Sequence, residues 1–173
     1  MRIAVLLVCL ACLNSCGRSK SDSLVKREGK PDYVRVEGES EEKMNQAVAQ
    51  SRKEIGTFID ALANPKPSQT YFSIKKRFPW QDGNATSYEH IWLSDVSFRD
   101  GKFHGRVGNE PVDVKGLKLG DEAVVSKEEA SDWMIIEDGT LIGGYTIIAL
   151  RDAMPPEERK EFDEHFPYKI REK

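Results

Sequence analysis

The chain has 173 residues, with 26 Lys and Arg against 29 Asp and Glu, a net charge of -3 and a mean hydropathy of -0.55. That length suits one water-facing domain of ordinary size rather than two. The near-balance of signs and the lack of a Lys/Arg-rich block argue against a nucleic-acid partner, which favours a strongly basic face.

The amino terminus differs in kind from the rest of the chain. Met1-Arg2 gives a short positive start, and Ile3 to Leu13 is an apolar run with the length of a signal-peptide core. It is too short to span a bilayer, which needs roughly 20 apolar residues. Leu13-Asn14-Ser15-Cys16 then resembles the lipobox of bacterial lipoprotein signals, in which a small residue precedes the cysteine and an aliphatic one lies three before it. Asn14 is less usual at its place than a small residue. The resemblance implies a signal peptide over 1–15, cleavage before Cys16 and lipid on that cysteine, so that the protein is anchored to a membrane rather than spanning it. A plain secretory signal and a buried amphipathic element are the alternatives; Cys12 is a weaker lipidation candidate, because Cys9 would then hold the aliphatic place. Gly17 stands where aspartate would, by analogy with Gram-negative lipoproteins, favour inner-membrane retention. In a Gram-negative host the expectation is therefore the periplasmic side of the outer membrane. All three cysteines lie at or before the cut, so the mature domain forms no internal disulfide and must be held by its core.

Residues 16–39 read as a flexible tether rich in Ser, Lys, Arg, Asp, Glu and Gly, with Tyr33 to Val36 able to add a short edge strand. Ser40 is a good N-cap, with Glu41 and Glu42 in the first turn. Met44, Val48, Ile55, Phe58, Ile59 and Leu62 then recur at helical spacings, predicting one amphipathic helix that ends at Asn64-Pro65. Its stripe suits packing on the chain's own sheet better than a partner face. From Gln69 the period becomes two, predicting strands from Gln69 to Pro79 and Tyr88 to Phe98 around a turn at Asp82-Gly83-Asn84. Asp100-Gly101 reads as a hairpin turn into Lys102 to Val107. Val112 to Val114 resumes extended chain, and Glu122 to Val125 gives a further strand. Ser126-Lys127-Glu128-Glu129 has capping-box form and implies one helical turn. Trp133 to Glu137 and Thr140 to Ile142 flank Asp138-Gly139 as a last hairpin. Thr146 to Ala153 reads as a short helix, with Ile147-Ile148 also able to continue a strand, and Pro155-Pro156 opens a terminal helix to His165. The expected fold is α+β: an N-terminal amphipathic helix packed on a bent antiparallel sheet, with short C-terminal helices, over a domain at 40–166 and a tail at 167–173.

Several segments in order carry a second resemblance. They are Met44-Asn45-Gln46-Ala47 with Ser51-Arg52, Phe72-Ser73-Ile74-Lys75 with Arg77-Phe78-Pro79, and Glu89-His90-Ile91-Trp92-Leu93. Phe103-His104-Gly105, Asn109-Glu110-Pro111 and Leu117-Lys118-Leu119-Gly120-Asp121 come next, then Ser131-Asp132-Trp133-Met134 and Gly143-Gly144-Tyr145-Thr146. Through them the chain resembles the YegJ-like bacterial family, a domain of unknown function, over roughly residues 40 to 165. The resemblance implies no activity; related-looking domains occur in settings that suggest toxin immunity.

The residues themselves offer few chemical sites. Glu89-His90 is the most enzyme-like pair, yet neighbours on a strand point to opposite faces. His90 suits a structural or surface role better than catalysis. His104 and His165 lack metal-ligand spacing, and neither a GxSxG nor a phosphate-binding glycine motif is present, so no metal and no cofactor is expected. Gly143-Gly144 before a helix could offer backbone N–H groups to an anion, although a tight turn with Thr146 as cap is the simpler reading. Trp92, Asp132, Trp133 and Tyr145 are the candidate ligand-binding residues, if they converge. The function expected is a membrane-anchored envelope lipoprotein that binds a protein or peptide. An immunity-type protein against an exported toxin, or an envelope hydrolase using Glu89, His90 or Asp132, are the alternatives.

Overall fold

A computed structural model describes the backbone of Leu24–Arg27, Lys30–Val36 and residues 39–171, with side chains from 41 to 171. The signal segment and Cys16 lie outside the described residues. Within the stretch expected to be tether, β1 (Leu24–Arg27) and β2 (Lys30–Val36) pair antiparallel with Leu24 opposite Val36. The expected edge strand at Tyr33 to Val36 is the second half of β2. Polar composition concealed the rest, because Leu24-Val25 finds its partner in Arg35-Val36 rather than in its own neighbourhood.

The single predicted helix is two: α1 (Glu39–Lys53), beginning one residue before Ser40, and α2 (Ile55–Ala63). They part at Glu54, whose φ of -101° and ψ of 11° leave the helical region. A six-stranded antiparallel sheet comes next: β3 (Gln69–Asp82), β4 (Ala85–Arg99), β5 (Lys102–Val107), β6 (Glu122–Val125), β7 (Ala130–Glu137) and β8 (Thr140–Gly143). The hairpin turns sit where the Asp-Gly pairs place them. Asp100 and Gly101 (φ 51° and 74°) and Asp138 and Gly139 (φ 49° and 71°) all have positive φ, as two-residue turns between twisted strands require. The chain closes with α3 (Tyr145–Asp152) and α4 (Pro156–His165), so the stretch open to helix or strand is helix. The fold is α+β.

Two local expectations are corrected. Val112 to Val114 is irregular chain rather than a strand. Ser126 to Glu129 makes the reciprocal bonds of a capping box, Ser126 N–H to Glu129 Oε2 at 2.9 Å and Glu129 N–H to Ser126 Oγ at 3.3 Å, but closes a turn and no helix.

Strand order is β6-β5-β4-β3-β7-β8, so the β6–β7 connection crosses from one edge past three strands to the far side of β3. The sheet curls to shorten that passage. Lys76 of β3 donates to the Val124 carbonyl of β6 at 2.6 Å and pairs with Glu129 at 3.3 Å, although β4 and β5 lie between the two strands in sheet order. β7 is buried almost throughout, because both faces of the sheet are covered. On one face Phe58 of α2 stacks on Trp133 at 5.5 Å and meets Phe103 and Phe72 at 5.8 and 6.3 Å, over Ile74, Ile91, Leu93 and Ile135. On the other, Ile147 and Ile148 of α3 with Phe166, Tyr168 and Ile170 cover Met134, Ile136 and Leu141. The terminal segment also bonds the β8 edge, Leu141 N–H to Lys169 O at 2.9 Å.

β8 pairs only with Met134 to Glu137, leaving the first half of β7 without a strand on that side. The end of α1 takes the place: Arg52 Nε donates to Ala130 O at 2.8 Å, and Trp133 Nε1 donates to Ser51 O at 3.0 Å. Phe58 is the hub of this core. Phe58→Ala is expected to lower unfolding free energy by about 3–5 kcal/mol, read from the shift in urea midpoint at unchanged slope.

Candidate functional site

β3 alternates so that Lys75 and Arg77 share one face, where their cross-strand neighbours are Trp92 and His90 of β4 and Asp132 of β7. Below them α3 begins at a sharp corner. Gly143 and Gly144 have φ of 73° and 64°, and a β-carbon on Gly143 would stand 2.4 Å from Trp133 O. Only glycine fits there, since a side chain would both strain the backbone and collide with β7.

The corner is held by Asp132, which is fully buried. Its carboxylate accepts the N–H of Trp133 (2.8 Å), Tyr145 (3.2 Å) and Thr146 (2.8 Å), and the Thr146 hydroxyl at 2.6 Å. Tyr145 and Thr146 open α3, so a strand residue caps a helix whose own N-cap, Gly144, offers no side chain. Gly143 and Gly144 therefore do not form an anion-binding backbone: the Gly144 N–H goes to Trp133 O at 2.8 Å, and the helix N-terminus holds the chain's own carboxylate. Burial pushes the Asp132 carboxyl above the usual range, opposed first by the Thr146 hydroxyl and then by the Lys75 charge. Lys75 donates to Thr146 Oγ1 at 3.2 Å and lies 5.1 Å over the Trp92 ring; burial lowers its pKa, and Asp132 partly restores it.

The candidate ligand-binding residues converge only in part. Asp132, Trp133 and Tyr145 meet at the corner, with Tyr145 edge-on to Trp133 at 5.8 Å, but Trp133 is core and closed to solvent. Trp92 lies on the opposite face of the sheet from Trp133 and reaches the group through Lys75. Glu89 and His90 also part company. Glu89 points to the Phe78 side, where its carboxylate accepts N–H bonds from Val112, Asp113 and Val114 at 2.8, 2.9 and 3.1 Å. Asn109 continues this anchoring of the loop, accepting the Trp92 N–H at 2.9 Å in place of a strand carbonyl. His90 points the other way, with Nδ1 2.9 Å from Ser131 Oγ. A hydrolase built from Glu89, His90 and Asp132 thus lacks a common face. The Ser131–His90 pair has the spacing of a nucleophile and base, but Ser131 is fully buried and no substrate carbon can reach it.

Sequence reasoning passed over Arg52, Lys75, Arg77 and Ser131 as site residues, and it gave Thr146 the capping role that Asp132 plays. The signal that could have found Lys75 and Arg77 is their two-residue spacing on a strand, which puts both charges on the face of His90 and Trp92. His104 sits in β5 opposite Val124, and His165 Nδ1 donates to Glu161 O within α4. Among the described residues no three His, Cys, Asp or Glu gather to hold a metal, and no helix is long and apolar enough to cross a membrane.

Two measurements probe this group. Asp132→Ala strands four donors and removes the charge facing Lys75, so a loss of about 3–5 kcal/mol in urea is expected. His90 is pushed down to about 4 by burial and then by the charges of Lys75, Arg77 and Arg52. The unfolded chain binds a proton near the ordinary value of about 6.5, which the folded chain refuses until about 4. Its contribution is whole above the ordinary value and is lost as pH falls through that window. His90→Gln should flatten this part of the stability–pH curve; an unchanged curve would remove His90 as its source.

The family described as "Uncharacterized protein conserved in bacteria (DUF2314)" matches residues 41–168. The chain is 36% identical over 130 residues to the Uncharacterized protein YegJ of Escherichia coli strain K12, covering 75% of this chain and 81% of that one. It is 32% identical over 129 residues to a Putative ankyrin repeat protein of Neisseria meningitidis serogroup B, covering 72% of this chain and 51% of the relative, about half its length. No solved structure matches. The chain belongs to the YegJ-like bacterial family, the domain of unknown function 2314.

Proposed function

We propose that the protein is an exported lipoprotein, anchored through lipid on Cys16, whose domain binds a protein or peptide of the cell envelope without catalysis. In this reading an N-terminal amphipathic helix rests on a bent antiparallel sheet with short C-terminal helices, and the sheet supplies the binding surface. The observation that carries it is the outer half of the β3–β4 hairpin. β7 pairs with β3 only as far as Lys76, and β5 pairs with β4 only from Leu93, yet β3 and β4 continue together to Asp82 and Ala85. Among the described residues the result is a two-stranded arm whose outer edges lack strand partners, the geometry by which an extended peptide adds to a sheet. Tyr88 is 47% exposed on it, with the Arg77 guanidinium 4.1 Å over its ring, and Trp80 is half-buried near the tip. Among the described residues the buried carboxylates are spent on the scaffold, which favours recognition by this surface over chemistry at Asp132 or Glu89.

The anchor and the arm are tested separately. Palmitate labelling should be lost in Cys16→Ala; label retained in that variant overturns the anchor. A photo-crosslinking amino acid at Trp80, in cells, should trap a discrete envelope partner that the same group at Lys160 on α4 does not. Trapping at Trp80 no greater than at Lys160 overturns binding by the arm.

A further inference from the structure

Arg52, Lys75 and Arg77 come from three different segments of the family resemblance, and all three act electrostatically on the His90 ring. Among the described residues no carboxylate pairs with any of the three. Lys66, Lys76, Arg106, Arg151 and Lys160 each sit within 4.0 Å of a carboxylate, whereas these three make no such pair among the described residues. The carboxylate nearest Lys75, that of Asp132, already accepts four hydrogen bonds. Among the described residues Arg52 bonds through Nε to Ala130 O, and Arg77 lies along Tyr88. Lys75 makes one hydrogen bond among the described residues, with an ammonium that carries three N–H groups. In a chain of net charge -3, three cations around one histidine, without a salt-bridge partner among the described residues, are a local feature rather than a general excess.

We propose that this face, floored by Lys75 and Trp92 and flanked by Arg52, Arg77 and His90, binds a single oxyanion, a carboxylate or phosphate group. Guanidinium forks and an ammonium give the charge-assisted hydrogen bonds such a group takes. Ser131 supplies orientation. Its hydroxyl donates to Lys75 O at 3.3 Å and accepts from His90 Nδ1–H at 2.9 Å, which leaves Nε2, the side away from Ser131, to take up a proton when an oxyanion is seated. The Trp92 ring, with Lys75 over it, gives the group that carries the oxyanion a flat apolar neighbour. Arg77, His90 and Trp92 belong to the base of the arm, but the titration below reads an anion on this face and the crosslink reads a partner at Trp80, so the failure of one is distinguishable from the failure of the other.

The test tracks the His90 side-chain resonances of the full chain by NMR during titration with inorganic phosphate, sodium acetate or, at matched ionic strength, sodium chloride. An oxyanion seated among the three cations offsets them and raises the His90 pKa from its depressed value; chloride screening alone gives the baseline. A rise with phosphate only assigns a phosphate site, and a rise with acetate only assigns a carboxylate site. Arg77→Gln, at an exposed position, should weaken the binding by about tenfold, the loss of one charge-assisted contact. Lys75→Met should abolish it, while Lys160→Gln leaves it unchanged. Phosphate and acetate both indistinguishable from chloride, or Arg77→Gln binding as the parent does, would overturn the proposal.

Discussion

The buried carboxylate of Asp132 is the constraint on which the arrangement turns. A charge closed to solvent is tolerable only when donors surround it, and here the donors come from β7 itself and from the first turn of α3. One side chain thereby fixes the angle between the last hairpin and the helix after it, and Gly143 and Gly144 give the chain room to make that angle. With α3 in place, Thr146 presents its hydroxyl to Lys75, and Ile147 and Ile148 close the second face of the sheet. The packing of one face and the position of the cation above it trace to the same carboxylate.

Glu89 does comparable work at the other end of the sheet. The loop after β5 has no strand to join, and its consecutive N–H groups at Val112, Asp113 and Val114 would be unpaired without a compact acceptor. Two acidic residues that look reactive in isolation are therefore structural pins, each holding irregular backbone against a strand. The basic and aromatic groups are left outside: they meet solvent, and the three cations around His90 lack carboxylate partners of their own among the described residues.

Much of this was legible where the determinants are local. The Asp-Gly turns, the alternation along β3 and β4, and the opening of α4 at Pro155-Pro156 each arise from conformations that few neighbouring residues decide. What stayed hidden depends on residues distant in the chain. Nothing near Glu89 announces a loop more than twenty positions later that needs its oxygens. Nothing beside Lys75-Lys76 in the sequence shows that Lys76 reaches across to β6 while Lys75 turns to Thr146. The break at Glu54 was equally obscure, because the apolar stripe runs through it without losing phase. The site was visible as separate words, Ser131-Asp132 and Glu89-His90 among them, but their assembly belongs to the sheet order.

That order has a kinetic consequence. β7 is formed by residues 130–137, yet it lies between β3 and β8 and supplies Trp133 to the stack on Phe58. An unfinished chain ending before it has β3 with a bare edge and Phe58 without its main partner. Contacts of such sequence separation form slowly, since a long loop must close before they return anything. The strands made before β7 cannot settle until most of the chain has emerged, and until then the β3 edge is open to pairing with another copy. This places the hazard in the interval before β7 arrives, when a chaperone that covers β3 would matter most.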